Sequence, residues 1–245
     1  MLCAIIVVLL VFFLTTGLTY TLRRALMKLK VPEGQTVRLL RWVFFSLLIW
    51  GIMTALLSFG GYYSNFRYFP PRVLLFGIVP PVLLALYLIF NKTFVALLSV
   101  VPPSWLMFVQ SFRIVMELML FLAFWYDIFP FQMTFIGFNL DIVAGLTALL
   151  AAKVFYGKRR YFRMESVIWN LFGILLLLTI VFITAVSTPT AYRIFMNEPS
   201  SAAIVDFPFI WIPTFIVPYA LAMHIFSIRQ AFIKEIKPFE STYGI

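Results

Sequence analysis

The sequence predicts an all-α membrane protein, a seven-transmembrane helix bundle occupying residues 1–245 as a single polytopic domain. Three observations predict it. The chain is 63% hydrophobic and only 11% charged, with a mean hydropathy of +1.03. A soluble domain is about 25% charged, so this chain cannot cover a globular surface with polar groups, and its solvent must be lipid. The apolar residues also fall in continuous runs near the ~20 residues that a helix needs to cross the hydrocarbon core. Finally, Lys and Arg are spread unevenly over the links between those runs, as topology requires.

The runs, in order, are Leu2–Tyr20, Trp42–Tyr62, Val73–Phe90, Ser104–Tyr126, Phe138–Tyr156, Ser166–Ser187 and Phe207–Ile228. Helix is the expected state of each, because backbone facing lipid must satisfy its own hydrogen bonds. A barrel would show ~10-residue segments of alternating polarity instead. The first run lacks a basic n-region and a small-residue cleavage site, and Arg23–Arg24 follow it, so it reads as an uncleaved helix rather than a signal peptide. Residues 93–101 are apolar but too short to span and read as an interfacial or re-entrant piece. Pro102 and Pro103 then begin the fourth helix, where proline is tolerated. Pro80–Pro81 in the third helix and Pro213 and Pro218 in the seventh remove backbone donors and predict kinks there.

The basic residues set orientation. Arg23, Arg24, Lys28, Lys30, Arg38 and Arg41 follow the first run, and Lys92 follows the third. Lys153, Lys158, Arg159, Arg160 and Arg163 surround the fifth-to-sixth link, and Arg229, Lys234 and Lys237 end the chain. Arg67, Arg72 and Arg193 alone fall on the other side, which predicts the N-terminus outside and the C-terminus in the cytoplasm of a bacterial inner membrane. The net charge of +10 is therefore a topology signal, and its scatter over short links argues against a nucleic-acid partner. The longest links, Thr21–Arg41 and Thr188–Asp206, are too short to hold a folded domain. Membrane lipid is the expected partner. No internal repeat supports an inverted-repeat transporter.

One cysteine, Cys3, and one histidine, His224, exclude an internal disulfide framework, a structural zinc site and a bis-histidine haem. No glycine-rich phosphate loop is present. No metal and no cofactor are expected.

Function is most legible in the fourth run, SWLMFVQSFRIVMELMLFLAFWY, where Arg113 and Glu117 stand four residues apart near mid-membrane. An ionisable group at that depth is by default a functional candidate. The i, i+4 spacing predicts an ion pair, and Gln110 extends the same polar stripe. Helix five enters at Asn139 and Asp141. Asp141 is expected to charge the helix N-terminus or to join Glu117 as a second carboxylate. Asn170 in helix six is expected to make an interhelical hydrogen bond. His224, toward the cytoplasmic end of helix seven, reads as an interfacial residue or a proton relay. The ligand-binding candidates are thus Gln110, Arg113, Glu117, Asn139 and Asp141, with Asn170 and His224 as relay candidates. The principal function expected is binding or transport of a small solute, proton or lipid. The alternatives are a membrane-embedded enzyme acting on a lipid or isoprenoid, with Glu117 or Asp141 as catalytic general acid, and an assembly protein whose buried charges fix packing.

Seven helices in this orientation invite comparison with the rhodopsins, but FPFIWIPTFIVPYALAMHIFSI carries no lysine for a retinal Schiff base. The small seven-helix membrane terpene cyclases resemble the chain in size and in relying on intramembrane carboxylates, without a shared motif. The stretches RYFPPR, SFRIVMELML, MTFIGFNLDIVAGLTA and FPFIWIPTFIVPYALAMHI resemble an uncharacterised family of bacterial inner-membrane proteins, chiefly from Bacteroidetes. That resemblance implies a bacterial origin and no activity.

Overall fold

The computed structural model of the chain describes residues 1–68, 70–156 and 163–233, and the described residues contain helices and no strand. The helices are α1 (Leu2–Lys28), α2 (Glu33–Phe59), α3 (Val79–Leu88), α4 (Lys92–Val100), α5 (Pro103–Phe108), α6 (Phe112–Trp125), α7 (Asp141–Tyr156), α8 (Arg163–Ser187) and α9 (Val217–Ala231). Lys158, Arg159, Arg160, Lys234 and Lys237 lie outside the described residues.

Five stretches are each long and apolar enough to cross a membrane: α1, α2, Pro103–Trp125, α8 and Ile212–Ala231. A sixth is formed if Leu74–Leu88 and Lys92–Val100, bent by 81°, count as one broken span. Several helices are therefore suited to a multi-pass membrane protein. The remaining apolar run, Phe138–Tyr156, yields a helix of only 16 residues, or about 24 Å. The cause lies at its start, where the Asn139 side chain accepts the Asp141 backbone N–H at 3.0 Å and turns the chain before the helix begins. α1 and α2 run beyond their apolar cores into Lys28 and back to Glu33. The residues between carry good helix formers such as Leu22, Arg23, Arg24 and Leu26.

The short apolar piece expected at residues 93–101 is helix α4. Its Asn91 cap accepts the Phe94 N–H at 3.0 Å. At each expected proline break the chain makes a π-helical turn before resuming α-helix, at Leu74–Ile78 and at Ile212–Ile216. Pro218 has no N–H to give the Thr214 carbonyl. The Trp50 indole of α2 donates to that carbonyl instead, at 2.9 Å. The exchange is reciprocal, since Trp211 Nε1 donates to Gly51 O of α2 at 3.1 Å.

α9 packs against α8, α5 and α3. α7 packs against α5, α6 and α8, and α1 packs against α2, α6 and α4. Most of the buried apolar side chains of α1, α6, α8 and α9 join one core cluster. One end of the bundle is tied by Lys28 Nζ to Val100 O (3.1 Å), Arg229 Nε to Ile89 O (3.0 Å) and Gln230 Nε2 to Leu98 O (2.7 Å). The opposite end is tied by Ser58 Oγ to Val205 O (2.6 Å) and Gln132 Nε2 to Ser187 Oγ (3.0 Å).

Candidate functional site

Arg113 is the largest fully buried side chain in the described structure, and four helices converge on its guanidinium. A guanidinium offers five N–H donors and no acceptor, so its burial demands acceptors. Nε donates to Asp141 Oδ2 at 2.7 Å, and Nη2 lies 2.5 Å from Asp141 Oδ1, a two-point pair with the first residue of α7. Nη1 and Nη2 both donate to the Gly173 carbonyl of α8, at 3.3 and 3.2 Å. Nη1 also meets His224 Nε2 of α9 at 3.2 Å.

That last contact settles a tautomer. The guanidinium can only donate, so His224 Nε2 accepts, and the ring proton sits on Nδ1. Nδ1 then donates to Asn170 Oδ1 at 2.8 Å. Asn170 Nδ2 in turn donates to Ser227 Oγ at 2.9 Å and to Ser166 O at 2.8 Å. His224 is thus a neutral imidazole within the bundle. It is fully buried, because α9 continues to Ala231 and its packing against α8 encloses the ring.

The expected Arg113–Glu117 ion pair is replaced by Arg113–Asp141. An arginine side chain is long enough to leave its own helix, and Asp141 presents both oxygens to it across the α6–α7 contact. Glu117 is occupied elsewhere: Asn139 Nδ2 donates to Glu117 Oε2 at 2.6 Å and to Met133 O at 3.0 Å. Asp141 is 4% exposed and Glu117 1% exposed, so both carboxylates share the burial of the one guanidinium. Asp141 combines both expected placements, since it opens α7, where the helix dipole favours an anion, and it lies in the same buried cluster as Glu117.

Gln110 is buried one turn before Arg113, in a 3-10 turn at Val109–Ser111 that interrupts the fourth run. Its Nε2 donates to the Ala220 carbonyl of α9 at 2.9 Å, and its Oε1 has no hydrogen-bond partner among the described residues. Asn170 makes the interhelical bonds expected of it. Gly173, Ser166 and Ser227 also belong to the network, and none of them stands out in the sequence. A backbone acceptor leaves no signal in sequence, although the lone glycine in LFGILLLL hints at a close approach. A Cβ at Gly173 would overlap the His224 ring, so only glycine lets the imidazole lie against α8.

A cavity of about 40 Å³ adjoins the network, lined by Arg113, Glu117, Asp141, Met116, Leu177 and Ile216 among others. Its walls are largely apolar, with the two carboxylates and the guanidinium at one side.

A protein-family model described as a domain of unknown function (DUF8737) matches residues 70–232. The match covers every residue of the network. It agrees with the resemblance to an uncharacterised family noted above. No curated protein matches the chain. No solved structure matches it either.

Proposed function

The chain belongs to the DUF8737 family, and we propose that it is a seven-span inner-membrane protein that binds a proton at Glu117 and couples that charge to the buried network. One observation carries this reading. Two carboxylates, Asp141 and Glu117, are buried with a single guanidinium while His224 is held neutral. With both carboxylates ionised the cluster would hold a net negative charge in a medium where an uncompensated charge is very costly. Asp141 accepts from Arg113 at Oδ2 and keeps Oδ1 in ion-pair contact with the same guanidinium, whereas Glu117 Oε2 accepts from the neutral Asn139 amide, so Glu117 is the group left to take up the balancing charge. The cavity beside Glu117 supports a proton over a larger solute. At about 40 Å³ it has room for one or two water molecules, whereas small-molecule sites usually need about 300–1,000 Å³. The same limit counts against a lipid or isoprenoid substrate for Glu117 or Asp141. From Glu117 a chain of hydrogen bonds runs through Asn139, Asp141, Arg113, His224 and Asn170 to Ser227, which is nearer the basic end of the bundle; its amide, backbone and guanidinium members keep their protons, so it transmits the charge state of Glu117 and does not carry the proton.

In this reading the N-terminus lies outside and the C-terminus in the cytoplasm of a bacterial cell. The bonds from Lys28, Arg229 and Gln230 support it, because they gather the C-terminal ends of α1 and α9 with α4 at the end that carries most of the basic residues. Alternating the remaining elements then makes α3 and α7 crossings as well, with α4 lying along the cytoplasmic face.

A second reading, an assembly role in which the charges only fix packing, draws on the full engagement of the Arg113 donors. Glu117→Gln separates the two. In a pH titration of proteoliposomes, the proton reading expects the variant to lose the uptake of one proton and a carboxylic-acid infrared band while its melting temperature in detergent stays near wild type. A lowered melting temperature with unchanged proton uptake and no lost band would leave the packing reading instead.

A further inference from the structure

We propose that the cytoplasmic third of α2 carries a binding groove for the headgroup of an anionic phospholipid, a site separate from the buried network and resting on the membrane reading above. A groove of about 460 Å³ is lined by Gly34, Val37, Arg38, Arg41, Trp42 and Phe45. These positions recur at three- and four-residue intervals, so they share one helix face. All six side chains or backbone positions are exposed.

The chemistry is graded along the stripe. Gly34 has no side chain, and a Cβ built there would meet nothing within 4 Å, so the cytoplasmic end of the groove is open. Arg38 and Arg41 stand one turn apart above it, and neither has an ion-pair partner among the described residues. The nearby Arg23 is different, since it faces Glu33 at 3.6 Å. Two planar guanidiniums on one face match the oxygens of a phosphodiester, which they can hold in two-point hydrogen bonds. Trp42 and Phe45 follow toward the bilayer, 68% and 51% exposed, where an indole and a phenyl ring suit the boundary between headgroups and acyl chains. A free phosphate would use the arginines but leave both rings without a partner. A phospholipid uses the whole stripe, and this decides between the two sources of the same phosphate chemistry.

The site is tested by native mass spectrometry of the full chain released from nanodiscs holding equal phosphatidylglycerol and phosphatidylcholine. Retained phosphatidylglycerol is expected to fall about fivefold for Arg38→Gln and again for Arg41→Gln, the scale of one basic residue at an anionic surface. Arg23→Gln is the control and is expected to leave retention unchanged. Trp42→Ala is expected to weaken retention with both charges intact, and millimolar inorganic phosphate to displace little lipid. Retention undiminished in the Arg38/Arg41 double variant would overturn the proposal. So would an equal loss in Arg23→Gln, which would mean diffuse surface charge, or displacement by phosphate alone, which would mean a simple anion site. Proton uptake at Glu117 is expected to be unaffected by the arginine variants, so failure here and failure of the proton reading are distinguishable.

Discussion

The α1–α2 hairpin and the helices of residues 70–232 answer the membrane in different ways. α1 is the most apolar of the spanning helices and among the least buried, whereas Ile212–Ala231 is the least apolar and among the most buried. α2 buries only Thr36, Thr54 and Ser58, small polar residues that let it touch the bundle, while Phe44, Phe45, Leu48 and Ile49 face outward. α6 buries Arg113 and Glu117 together with Met116, Met119 and Leu120. The inversion follows from the solvent. A helix facing lipid needs apolar groups on its outer surface, because polar groups there have no partner. A helix enclosed by other helices can carry polar groups that find partners there, as Arg113 and Glu117 do on the neighbouring elements. The family match stops at residue 70, so the hairpin stands outside it while the whole network lies inside.

The sharpest way to break this contrast is at its centre. Arg113→Met leaves Asp141 buried without a cation and is expected to cost about 3–5 kcal/mol of stability. The double variant Arg113→Met/Asp141→Leu should recover most of that loss in thermal unfolding in detergent. Phe12→Ala on the lipid face of α1, a side chain 71% exposed, should change little. Equal effects at the two sites would remove the distinction between the regions.

Glycine gives a second, smaller contrast. Gly173→Ala drives a methyl into the His224 ring and is expected to cost about 1–3 kcal/mol and to disturb the Arg113–His224 contact. Gly17→Ala in α1 meets nothing within 4 Å and should be neutral or gain up to about 1 kcal/mol from helix propensity. Trp50→Phe tests the seam between the regions. Losing the indole donor to Thr214 O should cost about 0.5–1.5 kcal/mol and raise protease sensitivity in the 29–32 link ahead of cleavage elsewhere.

The smallest effect is in the link between α8 and α9. Arg193 donates to the Glu198 carboxylate at 2.9 Å and holds it below the usual glutamate range. A depressed folded pKa means the ionised form is favoured by folding. Its contribution is present above the ordinary glutamate value, about 4.3, and fades as pH falls through the folded value. Glu198→Gln should flatten that acid limb slightly, with no change at neutral pH.

Much of the site was legible because burial of charge is so constrained in an apolar run. Gln110, Arg113, Glu117, Asn139, Asp141, Asn170 and His224 all stood out from their surroundings, and the structure brings all seven into connected or adjoining contacts. The pairing was not legible. Helical spacing favoured Glu117 as the arginine's partner, yet spacing within one helix carries no information about which neighbouring helix end points inward. The same limit applies to the fifth apolar run, whose hydrophobicity extends through Phe138 and Leu140 while its helix starts only at Asp141. The π turns before Pro81 and Pro218 follow from proline chemistry, but their register depends on which neighbour supplies a donor.

The bond from Trp50 to the Thr214 carbonyl also has a bearing on biosynthesis. Its partners are 164 residues apart in the chain. The indole is made with the second helix, and the carbonyl it must satisfy emerges only with the last. Pro218 offers that carbonyl no N–H, so the donor supplied by α2 is absent until the two helices meet. Because α2 is made before α9, closure of this contact waits for α9 and depends on α2 still standing nearby.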